Sequence, residues 1–497
     1  MSKYVEGNVD VNQYNFLPTC YDEIIGDDNP VRLIDILVDS LDLKKLNFTN
    51  TDRDEAKAGR PSYNPKDMLK LYLYGYFNGI RSSRKLEKEC HRNIEVFWLI
   101  KELKPDFKTI AEFRKNNIDN MKSVFTEFSM LCDSMGLYGK EIVAIDGSKF
   151  RASNSRRKNY TKGKIEKQIK YYQDVAEKYI ELLDEEDKNE KNNKIDMSKD
   201  EIKNKISNAQ ERIEELMALK KDIEENGEKS ITDPDSRHMK ANNNGTDIAH
   251  NVQIAVDSKN HLVAAVDVTS SPADQGQLYT MADEAKEALG VDEITVLADK
   301  GYWKAEDLKA CEENGIEAIV SVPDEPGNSG YKKSDFKYNE SEDYYICPNG
   351  EKLTRGKRKA LEYTNSKACK TCPHRDKCTK NKKGKKIVRN ENQEYMDRAK
   401  KRQEEKMELY KERQKIVEHV FGTVKRALGY THFLLRGNSK VKGESFIHFL
   451  IYNIKRVSNL VTIDDIVEAI KRNRVTESVH NFLNLFLFIL KPEKYLI

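Results

Sequence analysis

Three carboxylates stand where metal-assisted chemistry would need them. Asp146 ends the short apolar run Ile142-Val143-Ala144-Ile145, and Gly147 after it lets backbone or substrate approach closely. Asp299 ends a second run, Ile294 to Ala298. Strands that finish in Asp put carboxylates at the sheet edge where α/β domains usually build their sites. Glu418 lies beside Val417, Val420 and Phe421, whose spacing predicts a helix packed on that sheet. Three such oxygens suit Mg²⁺ or Mn²⁺, hard ions that keep water and accept phosphate oxygens. Two ions roughly 3.5–4 Å apart would activate an attacking hydroxyl and stabilise a leaving oxygen. Residue type alone also allows a plainer reading, in which each Asp caps or turns the chain.

A second constellation is made of thiols. Cys369-x-x-Cys372 and Cys378, with Cys347 upstream, supply the ligand set of a tetrahedral Zn²⁺ site, and His374 is a substitute ligand. Four thiolates leave no open position, so such zinc would be structural. The flanks are basic and polar, and a small module of this kind is not expected to bury a core without metal. The alternative is four free thiols in a loop. Cys20, Cys90, Cys132 and Cys311 are scattered and read as small core residues.

The elements that position these groups follow from periodicity and punctuation. Residues 1–135 read as a helical domain: Asn29-Pro30 and Asn64-Pro65 open helices, with further helices over Ser82–Cys90 and from Lys108. It either contacts DNA, as helix-turn-helix domains do, or only packs on the rest. Strands are predicted at 141–146, 252–257, 261–267, 294–298 and 317–322, the second and third forming a hairpin, with helices at 278–289 and 304–314. That order indicates an α/β domain with a mixed sheet. The sheet is interrupted. Residues 136–154 hold its first part and 231–330 its continuation. Between them, 155–230 show apolar residues at helical spacing, predicting two charged helices packed antiparallel: a solvated hairpin, or an arm touching DNA or a second subunit. Residues 331–395 form the Cys-rich, zinc-ribbon-like insertion. A charged helix over 400–428, carrying Glu418, and a helix over 443–460 make up 396–470, and a last helix near 476–490 falls in the tail 471–497.

Composition sets bounds. The 497 residues are 38% hydrophobic and 34% charged, with a net charge of only +3, so any attraction to phosphate must be local. Basic runs occur at Arg151–Lys170, Lys352–Lys359 and Lys377–Arg389, each a solvated face or a nucleic-acid surface. No stretch approaches a membrane span, and the N-terminus lacks the apolar core of a secretory signal, so a cytoplasmic protein without disulfides is expected.

Several segments together resemble the DDE transposases of bacterial insertion sequences. Ile145-Asp146-Gly147-Ser148 resembles their first catalytic motif, and Ala298-Asp299-Lys300-Gly301-Tyr302 the second. Val417-Glu418-His419-Val420-Phe421-Gly422 resembles the third. Asp233–Arg237 with His250–Asp257 resembles the hairpin after the first motif. Gly59-Arg60-Pro61 to Arg114 resembles the helical domain, and Leu435-Arg436-Gly437 the C-terminal segment. The resemblance implies an RNase H-like catalytic domain in which Asp146, Asp299 and Glu418 bind two Mg²⁺ (or Mn²⁺). Water would cut the DNA at the element's ends, and the freed 3′ hydroxyl would join target DNA. It implies double-stranded DNA as substrate (terminal inverted repeats and target), a homodimer on DNA, no membrane and no small-molecule substrate.

One subgroup carries a Tyr-Arg-Glu-Lys signature on the third motif's helix. Tyr410, Arg413, Glu418 and Lys425 match it, except that four residues rather than three separate Arg413 from Glu418. One extra residue turns Arg413 by ~100° about the helix. Lys425, two turns after Glu418, is expected at DNA phosphate. Trp303 either stacks on a splayed base or sits in the core. Arg237 with Asp235 either shapes the site or forms a turn, and Arg436 is a further candidate DNA contact. The rival functions are a domesticated or inactive transposase acting as a DNA-binding protein, and a nuclease of the same fold that does not transpose.

Overall fold

The computed structural model describes residues 20–51, 62–188, 198–240, 245–324, 330–356 and 361–473. Gly59-Arg60-Pro61 and the expected helix at 476–490 lie outside them. The chain divides into two compact units, residues 1–135 with 446–497, and residues 136–445.

The first unit is helical. Asn29 and Asn64 each cap a helix with Pro at its start, Pro30–Ser40 and Pro65–Phe77, and their side chains accept from the N–H of Val31 and Lys66. This satisfies a donor that the helix start leaves unpaired. Helices Ser83–Glu89, Ile94–Leu99, Phe107–Asn117 and Met121–Ser134 complete the N-terminal part. Phe446 packs here on Phe125 and His448 on Tyr76.

The second unit is built on a six-stranded mixed sheet. Its strands are β1 (Ile142–Arg151), β2 (Arg237–Lys240), β3 (Thr246–Asp257), β4 (Val263–Thr269), β5 (Ile294–Ala298) and β6 (Ile316–Val320). β3 lies antiparallel between β1 on one side and β2 and β4 on the other, while β1, β5 and β6 run parallel. Helices α3 (Leu278–Leu289) and α4 (Ala305–Glu313) make the crossovers.

Two strands are longer than periodicity predicts. β1 continues through Gly147 to Arg151, and β3 begins six residues before Val252. Polar residues are buried in these extensions because each has a partner. His250 meets Asp233 and Asn251 meets Asp274, so the strand loses little by desolvating them. Asp257 closes the β3–β4 turn region by accepting from the N–H groups of Gly139, Lys140 and Lys259.

Between β1 and β2, helices α1 (Lys162–Lys188) and α2 (Lys199–Asn226) pack along a seam of Tyr160, Ile165, Leu216 and Ile223. The start of α1 meets the end of α2, so the pair is antiparallel. The Cys-rich segment is a five-stranded antiparallel meander over 337–388 with two short helices between its last strands. It buries a small core of Phe336, Tyr345, Leu353, Tyr363 and Ile387. Aromatic residues spaced singly among lysines gave no periodic signal. The charged helix is also not continuous. It breaks at Lys406 into α5 (Gln393–Glu405) and α6 (Met407–Gly422), and a π-turn follows at Thr423–Ala427. α7 (Asn438–Val457) begins in this unit, which ends at Ser445, and its later residues belong to the helical unit. Among the described residues no helix is long and apolar enough to cross a membrane.

Candidate active site

β5 pairs with β1 only over Ile142–Ala144 and then stops, whereas β1 runs on. Asp146 and Asp299 sit where the two strands part. Asp146 is therefore inside a strand, not at its end as the sequence suggested. Its Oδ1 accepts from the Gly147 N–H at 2.9 Å. Burial pushes its carboxyl up from 3.8 to about 6; Asp299 and Asp274 add to this, while Arg413 and the Gly147 N–H oppose it. Asp299 opens a 3-10 turn, Lys300–Tyr302, and accepts from the Gly301 N–H at 2.8 Å. The Tyr302 hydroxyl donates to Gln253 Oε1. Burial, then Asp274, Asp146 and Asp299, hold that phenol well above its usual range.

α6 packs on this sheet through Ile416, Val417, Val420 and Phe421. Glu418 stays largely exposed, its side chain 54% accessible, with Oε1 3.8 Å from the Arg413 guanidinium. Arg413 itself is buried, and its charge also acts on Asp146. The extra residue in the signature thus does not remove Arg413 from the site. A backbone phase of ~100° ignores the reach of the guanidinium. Among the described residues Arg413 Nε finds no hydrogen-bond partner. Tyr410 is half-buried three residues earlier on the same helix.

The other signature residue is turned inward. Lys425 lies in the π-turn, which shifts its phase, and its ammonium donates to Ser148 Oγ (2.6 Å) and the Lys149 carbonyl (2.8 Å) over the Phe150 ring. Burial pushes it down to about 8, Lys149 adds to this, and Asp146 opposes it. Trp303 is half-buried on the wall of a cavity of about 680 Å³ facing the Cys-rich sheet. Arg237 donates to the carbonyls of Pro234 and Ser236, and Asp235 accepts from the Asn438 N–H. Arg436 Nε donates to the Ser153 carbonyl.

In the Cys-rich segment the Cys347 carbonyl accepts from the Gly350 N–H (2.8 Å) and the Cys372 carbonyl from the Arg375 N–H (3.2 Å), two tight turns. Burial pushes the Cys378 thiol up; Lys385 opposes this, and Cys369, Cys347 and Cys372 add to it, so all four sulfurs share one neighbourhood. Cys347 and Cys378 both pack on the module's apolar core. Among the described residues no three His, Cys, Asp or Glu side chains stand close enough together to hold a metal ion as they are placed.

One carboxylate at the centre was not singled out from sequence. Asp274, in the loop before α3, accepts from Lys149, Asn251 and Gln253. An Asp between a hairpin and a helix reads as a turn former, and no local signal marks it otherwise.

Two family profiles match the chain: a transposase domain (DUF772) over residues 19–116, and a transposase DDE domain over residues 226–454. The second spans Asp299 and Glu418 and begins after Asp146. Comparison with curated proteins and with solved structures gives no match.

Proposed function

Because the chain belongs to the DDE transposases of insertion sequences, we propose that Asp146, Asp299 and Glu418 form its catalytic centre for DNA. The order β4-β3-β1-β5-β6, with β3 antiparallel, supports the RNase H-like arrangement. The observation that carries the reading is Asp146: a desolvated carboxylate, raised further by two neighbouring carboxylates and opposed by the Arg413 charge. A divalent cation fits that donor set, since carboxylate oxygens are hard donors that favour a hard ion.

Asp146, Asp299 and Glu418 would hold two Mg²⁺ or Mn²⁺. Bound there, such ions supply the charge that makes water or a 3′ hydroxyl nucleophilic and stabilises a leaving oxygen. The rest is done by side chains. Asp299 is fixed by its own turn. Arg413 holds Glu418 toward the sheet and offers a guanidinium to phosphate. Lys425 ties the π-turn to β1 and so fixes α6 beside Asp146. Trp303, on its cavity wall, would meet a base near the cut. The helical unit and the charged α1–α2 pair bind the terminal inverted repeats, and a homodimer brings two ends together. Cleavage at the ends frees 3′ hydroxyls that are joined to target DNA.

The test uses purified protein, linear DNA carrying the gene's flanking ends, and Mg²⁺. Nicks at the ends and joined products are expected only with divalent metal. Glu418→Ala should lose on the order of 10³-fold in rate, equivalent to about 4 kcal/mol of transition-state stabilisation. Cutting without joining would leave a hydrolytic nuclease, and binding without cutting a DNA-binding protein.

The four cysteines are assigned to structural Zn²⁺. Their shared neighbourhood and the two turns support this. Metal analysis of the native protein should find one zinc per chain. Cys372→Ser should lose it and expose residues 330–395 to protease. Full-length protein without zinc, equally protease-resistant, would reject the assignment.

A further inference from the structure

Asp274 ties together three segments of the sheet. Its oxygens accept from Lys149 Nζ at 2.9 and 3.3 Å, from Asn251 Nδ2 at 2.8 Å and from Gln253 Nε2 at 2.8 Å. The two amides are themselves joined, Gln253 Nε2 donating to Asn251 Oδ1 at 3.0 Å. The remaining end of Gln253 accepts the Tyr302 hydroxyl. Lys149 is on β1, Asn251 and Gln253 are on β3, and Tyr302 closes the turn that starts at Asp299.

Register explains why these groups meet. Gly147 pairs with Gln253 and Lys149 with Asn251, so all four share one face of the sheet. Asp146 and Ser148 point to the other face, where Lys425 and α6 lie. A side chain at position 147 would have no room, since a Cβ there would fall 2.7 Å from Asp274 Oδ1. At Gly301 a Cβ would lie 3.7 Å from Asp274 Oδ2. One carboxylate thus lies against the backbone next to Asp146 and against the backbone next to Asp299.

We propose that Asp274 is a positioning residue of the cleavage centre: through Gln253 and Tyr302 it locks the Asp299 turn in register with β1 from behind the sheet. β1 and β5 share no ladder bonds beyond Ala144 and Leu297, so the strands themselves do not fix Asp299 relative to Asp146. The Asp274–Gln253–Tyr302 chain bridges that gap with charge-assisted and buried hydrogen bonds. Groups that orient metal-binding carboxylates in this way are commonly worth about 10–100-fold in metal affinity or activity. The catalytic consequence rests on the proposed function; the structural one does not.

The test therefore has two arms, on full-length Asp274→Ala, Asp274→Asn and Tyr302→Phe. Amide hydrogen exchange needs no activity. Residues 299–303 should exchange faster in Asp274→Ala and Tyr302→Phe, with the rest of the sheet unchanged. In the cleavage assay the parent shows first whether the functional reading holds. Given cleavage, Asp274→Ala should lower kcat and raise the half-saturating Mn²⁺ concentration, each by about 10–100-fold, with DNA affinity little changed. Asp274→Asn, which keeps an acceptor, should recover part of the loss. Tyr302→Phe should shift both in the same direction by less and combine non-additively with Asp274→Ala. Unchanged exchange at 299–303 would overturn the proposal, as would a kcat and Mn²⁺ requirement within threefold of the parent. Should Asp274→Ala fail to fold, Tyr302→Phe, which removes one hydroxyl, decides by the same criteria.

Discussion

Asp146→Asn is expected to abolish metal-dependent cleavage and, in the same molecule, to stabilise the metal-free fold at pH 8. The first effect follows from losing a charged oxygen donor, a loss on the order of 10³-fold or more. The second follows from the environment. Burial, with Asp299 and Asp274, raises the Asp146 carboxyl from 3.8 to about 6. Between those values the folded chain binds more protons than the unfolded one, so stability falls as pH rises through the window. Above pH 6 the whole cost is present, roughly 3 kcal/mol at most for a shift of about two units. Asparagine removes the charge at nearly constant shape. It also deprives buried Arg413 of a counter-charge, which takes back part of the gain. A net increase of about 1–2 kcal/mol in urea unfolding at pH 8 with chelator is expected, shrinking toward zero by pH 4. A variant that still cuts DNA, or one less stable than the parent at pH 8, would contradict this account of the site.

Asp233→Ala should cost the most stability, about 3–5 kcal/mol, because it strands a buried partner. Asp233 and His250 are both wholly inaccessible, with Asp233 Oδ2 2.9 Å from His250 Nε2. The other oxygen accepts from the Gly437 N–H at 3.1 Å. This one side chain therefore joins the segment before β2, the middle of β3 and the approach to α7. Burial alone would raise its carboxyl, but His250 and the N–H groups of Gly437 and Asp235 outweigh it and hold it below the ordinary value. Its contribution is thus present above the unfolded carboxyl's range near pH 4 and lost as pH falls through the lower folded value. Urea midpoints at pH 7 for Asp233→Ala and Asp233→Asn measure this. Asparagine, which keeps an acceptor, should lose less. An alanine variant within 1 kcal/mol of the parent would show that the pair is dispensable.

What could be read from sequence was what local pattern carries. The Asn-Pro helix starts, the hairpin, the parallel crossovers and the charged helical pair all follow from caps and periodicity. The carboxylates at 146 and 299 were legible because apolar runs lead into them. Asp274 was not, because its role depends on two strands meeting over a glycine 127 positions away in the chain. β1's continuation was hidden by Gly147 and polar residues whose burial is tolerated only through long-range partners. That Arg413 reaches Glu418 and acts on Asp146 was not legible from backbone phase, which says nothing of a long side chain. The inward turn of Lys425 depends on a π-turn that no residue pattern announced.

The central claim is that three acidic side chains bind catalytic metal where β1 and β5 part. Anomalous X-ray scattering from crystals soaked in Mn²⁺ tests it directly. The expected result is manganese bound by Asp146, Asp299 and Glu418, absent from crystals of Asp146→Asn. No manganese at that position, or manganese that persists unchanged without the Asp146 carboxylate, would contradict it.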